Sequence, residues 1–203
     1  MQKRILNRNL IYLIIFFFIA SCSSVPKYPQ DACKIFGEKY FYLKYTRAAS
    51  KKWGVPISTI LAVINKESGF KRFAKPPRHK LFKIIPYRRP SSSFGFSQAI
   101  NKTWELYKKE NNKPTALRIS YRSSSDFVGW YFWKANKINK VSLSNTRDLY
   151  LNYYLGFSAY KNKAYRTDKK AIIFAMSVEK QAKVYKNQLR ECKSILKKSY
   201  IIF

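Results

Sequence analysis

The chain has 203 residues, 41 of them Lys or Arg against 10 Asp or Glu, and its formal charge of +31 favours an anionic partner. Its length suits one domain with a real hydrophobic core. The single histidine, His79, lies in a Pro- and Arg-rich loop with no partner nearby in sequence, so neither a metal site nor a cofactor is expected.

The first residues, MQKRILNRNLIYLIIFFFIASC, read as an export signal. Lys3, Arg4 and Arg8 form a basic start, and Leu10 to Ala20 is an apolar run of 11 residues. A bilayer span needs about 20 apolar residues, so this run is a leader and is set aside from the fold. Ile19-Ala20-Ser21-Cys22 resembles the box at which a lipoprotein signal peptidase cuts before a lipidated cysteine. The alternative is a stray Cys22 behind a plain signal peptide. Ser23, with no Asp beside Cys22, resembles a sorting signal for the outer membrane. The expected organisation is a signal peptide over residues 1–21, lipidated Cys22 and a short polar tether over 22–32, and one domain over 33–203. Such a protein would sit in the cell envelope, held by its lipid on the periplasmic face of the outer membrane.

Beyond the tether, strand-like alternation is scarce and helical patterns recur. Glu38 to Lys52, Pro56 to Ser68, Ser97 to Glu110, Asp126 to Asn139, Asn145 to Leu155 and Asp168 to Lys197 predict an all-α domain. In the last of these, Val178, Ala182, Tyr185, Leu189, Cys192 and Leu196 make one inward stripe. Without Cys22, Cys33 and Cys192 are an even pair in an oxidising compartment, where a disulfide is expected. Closing so long a loop is worth up to ~4–5 kcal/mol in the chain-entropy model. Two separate buried thiols are the alternative.

The second pattern ends in LAVINKESGF, Leu61 to Phe70, which places a rare carboxylate on an apolar helix. Pro56 suits its first turn and Gly69 its end. Ile57, Ile60, Leu61 and Ile64 repeat at helical spacing, and Glu67 follows Ile60 by seven and Ile64 by three, on the buried face. A carboxyl there is desolvated and near the negative end of the helix dipole, and both effects raise its pKa toward that of a general acid. The competing reading is a partly exposed glutamate neutralised by Lys66 or Lys71. Periodicity alone does not separate the two.

The neighbouring residues do. ESGF after a helix opening WGVPIS resembles the first motif of the soluble-lytic-transglycosylase family of peptidoglycan lyases, and RPSSSFGFSQAINKTW resembles the second, with Gly95-Phe96-Ser97-Gln98 as its Gly-X-X-Gln turn. YLNYYLGFSAY resembles the third, in which Tyr153 matches a tyrosine that approaches the glutamate. The resemblance covers nearly the whole domain, including DACKIFGEKYFYLKYTRAASKKWGVP, DFVGWY and a C-terminal helix ending near a Cys, in the manner of a lipoprotein branch. It implies a lysozyme-like fold in which Glu67 is the only catalytic acid/base, with Ser68 and Gln98 orienting the glutamate or the sugar amide and Tyr153 stabilising the site. Helix-surface or capping roles for these three are the plain alternative. The chain departs from the family at Phe96 and Ser97, at Tyr154 and Leu155, and at Ser158 and Ala159, where glycines are usual. The last two departures remove a polar contact near the acid/base and stiffen the turn.

A retaining glycosidase needs a second carboxylate about 5–5.5 Å away, and an inverting one a base about 6.5–9.5 Å away. No other acid carries a signal like that of Glu67: Asp126, Asp148 and Asp168 fall in predicted first turns, Glu179 precedes Lys183 by four, and Glu105 and Glu110 flank a polar helix face. The resemblance supplies a mechanism with one carboxylate, ending in a 1,6-anhydromuramoyl product formed without water. For sugar stacking, Trp130 and Trp133 are the candidates, because Phe127, Tyr131, Ala135 and Ile138 already make a core stripe. Lys75 to Ser93 is a long Pro-rich connection whose Arg78, Arg88 and Arg89 either meet stem-peptide carboxylates or are solvated.

Without the leader the charge is +28. Nucleic acid would suit it, and the aromatics of GWYFWKANK could stack bases, but an exported chain meets lipid head groups, lipopolysaccharide and wall carboxylates instead. The expected partners are therefore glycan strands and the anchoring membrane. Much of the Lys excess also fits solvated faces, as at Lys180, Lys183, Lys186 and Lys193. The rival from another class is a non-catalytic envelope lipoprotein that binds peptidoglycan on the same fold.

Overall fold

The computed structural model describes residues 25–81 and 85–192. In chain order these form α1 (Ala32–Glu38), α2 (Tyr40–Trp53), α3 (Ile57–Ser68), the strands β1 (Lys80–Leu81) and β2 (Ile85–Pro86), and α4 (Asn101–Glu110). There follow α5 (Tyr121–Asn139), α6 (Thr146–Leu155), α7 (Phe157–Lys161), a single 3-10 turn (Ala164–Arg166) and α8 (Lys169–Glu191). The fold is all-α apart from one small antiparallel hairpin, in which Lys80 faces Pro86 and Leu81 faces Ile85. No described helix is long and apolar enough to cross a membrane.

Ile60, Leu61, Ala62, Val63 and Ile64 are all buried in succession, so α3 has no solvent face in its middle and must run through the interior. It packs against α8, α5 and α2, while α2 also lies along α5 and α6 along α8. The α2–α5 approach depends on Gly129, because a Cβ there would come within 2.5 Å of Trp53 Cδ1. Farther along, the rings of Tyr42 and Tyr121 stack at 3.7 Å, and the Tyr121 hydroxyl pairs with Thr46 Oγ1 at 2.8 Å.

Several boundaries differ from the expected ones. α5 starts at Tyr121, not Asp126, because Ser120 caps it by accepting from the Ser123 N–H, and Ser124 and Ser125 are buried despite their polarity. Asp126 is therefore no helix cap. It is buried in the middle of α5, accepting from Tyr107 Oη at 2.6 Å and Trp53 Nε1 at 3.0 Å and paired with Lys113 at 2.5 Å and Lys52 at 3.8 Å. Burial alone would raise its pKa, but the bonds from Lys113, Tyr107 and Trp53 hold it below the usual carboxylate range. Ser97 and Gln98 lie in a turn before α4, which begins only at Asn101. α1 and α7, of 7 and 5 residues, are too short to carry a helical pattern in the sequence.

The expected tether is docked on the domain from Pro26, which is buried. Tyr185 Oη donates to the Pro29 carbonyl, and the Gln188 side chain accepts from Ala32 N at 2.9 Å. Asp31 caps α1 through the N–H groups of Cys33 and Lys34. Cys33 and Cys192 are joined by a disulfide, with Cα atoms 6.1 Å apart, which fastens the start of the domain to the end of α8. The leader, Cys22, Lys193, Leu196 and Lys197 lie outside the described residues.

Candidate active site

α3 stops at Gly69, which takes the left-handed conformation at φ +56° and returns its N–H to the Asn65 carbonyl at 2.8 Å. Glu67 thus sits in the last turn, where the buried stripe meets a cleft of about 360 Å³. The opposite walls come from Gln98, Ala99, Ile100 and Thr103, from Phe127 and Tyr131 of α5, and from Tyr153, Tyr154, Leu155 and Gly156 at the end of α6.

The Tyr150 hydroxyl donates to Glu67 Oε1 at 2.7 Å. Burial pushes the Glu67 carboxyl from 4.5 up to about 7, while the Tyr150 hydrogen bond and the nearby Lys66 charge pull it the other way. At neutral pH both protonation states are therefore populated, as a group that must first give and then take a proton requires. Burial, followed by the Glu67 charge, moves the Tyr150 and Tyr153 phenols upward, so both remain neutral donors.

The turn facing Glu67 is set by backbone chemistry. Gly95 adopts φ +75°, and a Cβ there would lie 2.1 Å from the Arg118 carbonyl oxygen. Only glycine allows that approach. Gln98, itself at φ +50°, donates its side-chain amide to the carbonyls of Gly95 at 2.8 Å and Ala74 at 3.0 Å. The segment is clamped from outside by Arg118, which donates to the Ser92 and Ala99 carbonyls at 2.8 Å each.

Of the residues singled out from the sequence, the structure brings Glu67, Gln98 and Tyr153 to this cleft. Tyr153 does not bond the glutamate, however: its hydroxyl donates to the Ser97 carbonyl and so ties α6 to the Gly95 turn. Ser68 is buried and spends its hydroxyl on the Ile64 carbonyl at 3.0 Å, a bond within its own helix. Neither tryptophan lines the cleft. Trp130 is 1% exposed, packs against Tyr107 and donates its indole N–H to Glu110 at 3.1 Å. Trp133 lies against Trp53 on the α2 side. The face of α5 turned to the cleft carries Phe127 and Tyr131, so the first half of the stripe expected to pack the core also forms the wall; Ala135 is buried, whereas Ile138 is exposed near the end of the helix. The Lys75–Ser93 connection folds back as the β1–β2 arm, with His79 and Arg88 paired through their backbones and Arg89 donating to the Pro76 carbonyl. Tyr150 was missed. Its signal in the sequence is the one-turn spacing to Tyr153 and Tyr154, which places all three rings on neighbouring positions of α6.

The sequence model of the family described as Transglycosylase SLT domain matches residues 10–192. The chain belongs to this family. Its members are lytic transglycosylases acting on peptidoglycan, with a lysozyme-like helical domain. Comparison with curated proteins gives no match. Among the described residues, no group of three or more His, Cys, Asp or Glu is placed to hold a metal ion.

Proposed function

We propose that this transglycosylase cleaves the β-1,4 bond between N-acetylmuramic acid and N-acetylglucosamine and leaves a 1,6-anhydromuramoyl end, using Glu67 alone. The observation that supports this is the distribution of acids. Of the 10 acidic residues, Glu67 alone lines the cleft. Asp126 is held by Lys113, Tyr107 and Trp53; Glu110 pairs with Lys134, Glu105 with Lys108, and Glu179 with Lys183. Asp31, Asp148 and Asp168 serve helix N-termini. No second carboxylate of the cleft is available to activate water or to form a glycosyl ester.

In the first step protonated Glu67 gives its proton to the glycosidic oxygen, and the bond from C1 to that oxygen breaks. The muramoyl 2-acetamido oxygen shares its electrons with C1 and carries the positive charge. In the second step the Glu67 carboxylate takes the proton of the sugar's own 6-hydroxyl, O6 bonds to C1, and the acetamido oxygen leaves. Atoms balance without water, and Glu67 returns to its protonated state. Tyr150 holds the carboxyl in register throughout, and Gln98 and Tyr153 fix the facing turn.

We further propose that the protein is exported, lipidated at Cys22 and held on the periplasmic face of the outer membrane. The basic start, the apolar run and the Ile19-Ala20-Ser21-Cys22 box support this reading. The deciding experiment is digestion of insoluble peptidoglycan by the purified chain, with mass spectrometry of the released muropeptides. Each should be one water lighter than the matching lysozyme product. Reducing ends in their place would refute the one-carboxylate mechanism.

A further inference from the structure

Three exposed apolar side chains stand in line on α8: Ile173 (63% exposed), Met176 (54%) and Val184 (39%). Lys169, Ile173, Met176, Lys180 and Val184 follow one another at spacings of four, three, four and four, so they form a single ridge on the helix. The ridge is opposite the stripe of Ala171, Ala175, Val178 and Ala182 that packs into the core. Scattered exposed apolar residues need no explanation. A continuous row framed by lysines does, because long lysine stems can lie along apolar surface while their ammonium groups reach an anionic layer. Glu191 lies at the far end of the ridge, Lys170 flanks it on one side, and on the other Lys183 is paired with Glu179 at 3.0 Å, which leaves Lys169 and Lys180 as the cations of the row itself.

The second observation concerns the N-terminal segment. It is fastened to the C-terminal turns of α8, on a flank other than the ridge, through Tyr185 to the Pro29 carbonyl, through Gln188 to the Gln30 carbonyl at 3.2 Å, and through the Cys33–Cys192 disulfide. Six residues, and so seven Cα-to-Cα steps, separate Cys22 from Pro29. Fully extended, those seven steps reach about 25 Å, less than the ~35 Å length of α8 itself. A chain lipidated at Cys22 therefore keeps α8 within one helix length of the bilayer.

We propose that the outer ridge of α8 is a docking surface for anionic phospholipid headgroups, with Ile173, Met176 and Val184 entering the interfacial layer and Lys169 and Lys180 meeting lipid phosphates. The anchor reading above supplies only nearness to the bilayer; the contact itself belongs to the folded chain. A short leash raises the local lipid concentration, so a weak patch suffices to set how the domain lies on the membrane.

The test uses the chain from Ser23 onward, which carries every described element and no lipid, in flotation with vesicles. It should float with phosphatidylethanolamine–phosphatidylglycerol vesicles and not with phosphatidylcholine. Each lysine at an anionic surface adds roughly fivefold to partitioning, so Lys169→Glu with Lys180→Glu should lower it by roughly tenfold or more. Lys102→Glu with Lys109→Glu on α4 changes the net charge equally and should lower it far less. Ile173→Ser with Met176→Ser should also weaken binding while leaving the fold intact, checked by circular dichroism. Equal losses in the two charge-reversed pairs would overturn the proposal in favour of diffuse attraction, and absence of flotation would overturn it outright. A dimer in sedimentation velocity that disappears in the Ile173→Ser, Met176→Ser chain would assign the ridge to a second copy instead. Failure of Cys22 lipidation would refute the anchor and leave these vesicle results standing.

Discussion

Replacing Tyr150 by Phe removes one hydroxyl from the Glu67 carboxyl and keeps the ring that stacks 6.3 Å from both Tyr153 and Tyr154. A hydrogen bond to a charged group contributes ~1.5–3 kcal/mol. Here it favours the carboxylate, so its loss leaves burial less opposed and the proton is held more tightly, by roughly tenfold or more at 1.36 kcal/mol per decade. Glu67 begins the reaction as an acid. Activity therefore falls as pH rises through its pKa of about 7, and the alkaline limb of kcat/KM reports that value. In Tyr150→Phe this limb should move to higher pH by about one unit or more. Below the limb the rate should also fall, because a carboxyl that holds its proton harder is a poorer donor to the leaving oxygen. The assay is release of anhydromuropeptides from peptidoglycan across a pH series, comparing wild type with Tyr150→Phe. An alkaline limb that stays in place would show that the Tyr150 hydroxyl does not govern the titrating group. Movement to lower pH would reverse the sign of the argument and refute it.

Glu67→Gln should abolish turnover and yet stabilise the fold at high pH. The folded pKa lies above the unfolded value, so the wild type keeps its full stability below about 4.5 and loses on the order of 3 kcal/mol as pH rises through about 7. The Tm advantage of the variant should therefore be small in acid and grow toward pH 8, and a constant difference would contradict the burial account. Gly95→Ala forces a Cβ against the Arg118 carbonyl at a positive φ and should cost about 2 kcal/mol or more in denaturant unfolding, along with most of the activity. Mass spectrometry without reduction should find Cys33 joined to Cys192, and Cys33→Ser should lower stability by up to ~4–5 kcal/mol. Cys22→Ser should leave the precursor unprocessed and without fatty-acid label; normal cleavage and release of that variant would eliminate the lipid anchor.

The helices that were legible in the sequence are those with an apolar stripe and a punctuating residue, such as α3 between Pro56 and Gly69. What periodicity could not reveal is how many sides of a helix are covered. Four apolar residues at helical spacing predict one buried face for α3, whereas the structure buries every residue from Ser58 to Ile64, because α2, α5 and α8 surround it. The same limit explains the tryptophans. Trp130 falls off the stripe defined by Phe127 and Tyr131, but α4 covers that flank with Tyr107 and Glu110, and the residue becomes core. Asp126 looked like a cap because the serines before it hide the first turn of α5. Its true partners, Trp53, Tyr107 and Lys113, are 13 to 73 residues away, a distance that local pattern cannot span. Glu67 was legible because its cue is local, a carboxylate at the end of an apolar helix. Tyr150, 83 residues away, was not.

The helix around Glu67 also explains how a carboxyl at this position is tolerated. Holding it at a pKa near 7 costs on the order of 3 kcal/mol when it is ionised. Complete burial of one aliphatic side chain contributes ~1.5–3 kcal/mol. Ile60, Leu61, Val63 and Ile64, all fully buried on the same helix, thus place the acid in a segment able to absorb the loss. A second acid in the cleft would add repulsion to desolvation and would push one of the two carboxyls higher still. Tyr150 does the opposite: it moderates the rise without introducing a charge. Where the family usually has polar groups, this chain has Tyr154, whose ring packs edge-on against Phe174 at 5.6 Å, and Leu155, both lining the cleft. Apolar atoms in a cleft wall disfavour the ionised form of a carboxyl that shares the cleft. Replacing Leu155 by Asn should therefore lower the pKa read from the alkaline limb, and an unchanged limb would show that the wall formed by α6 is too far from the carboxyl to affect its proton.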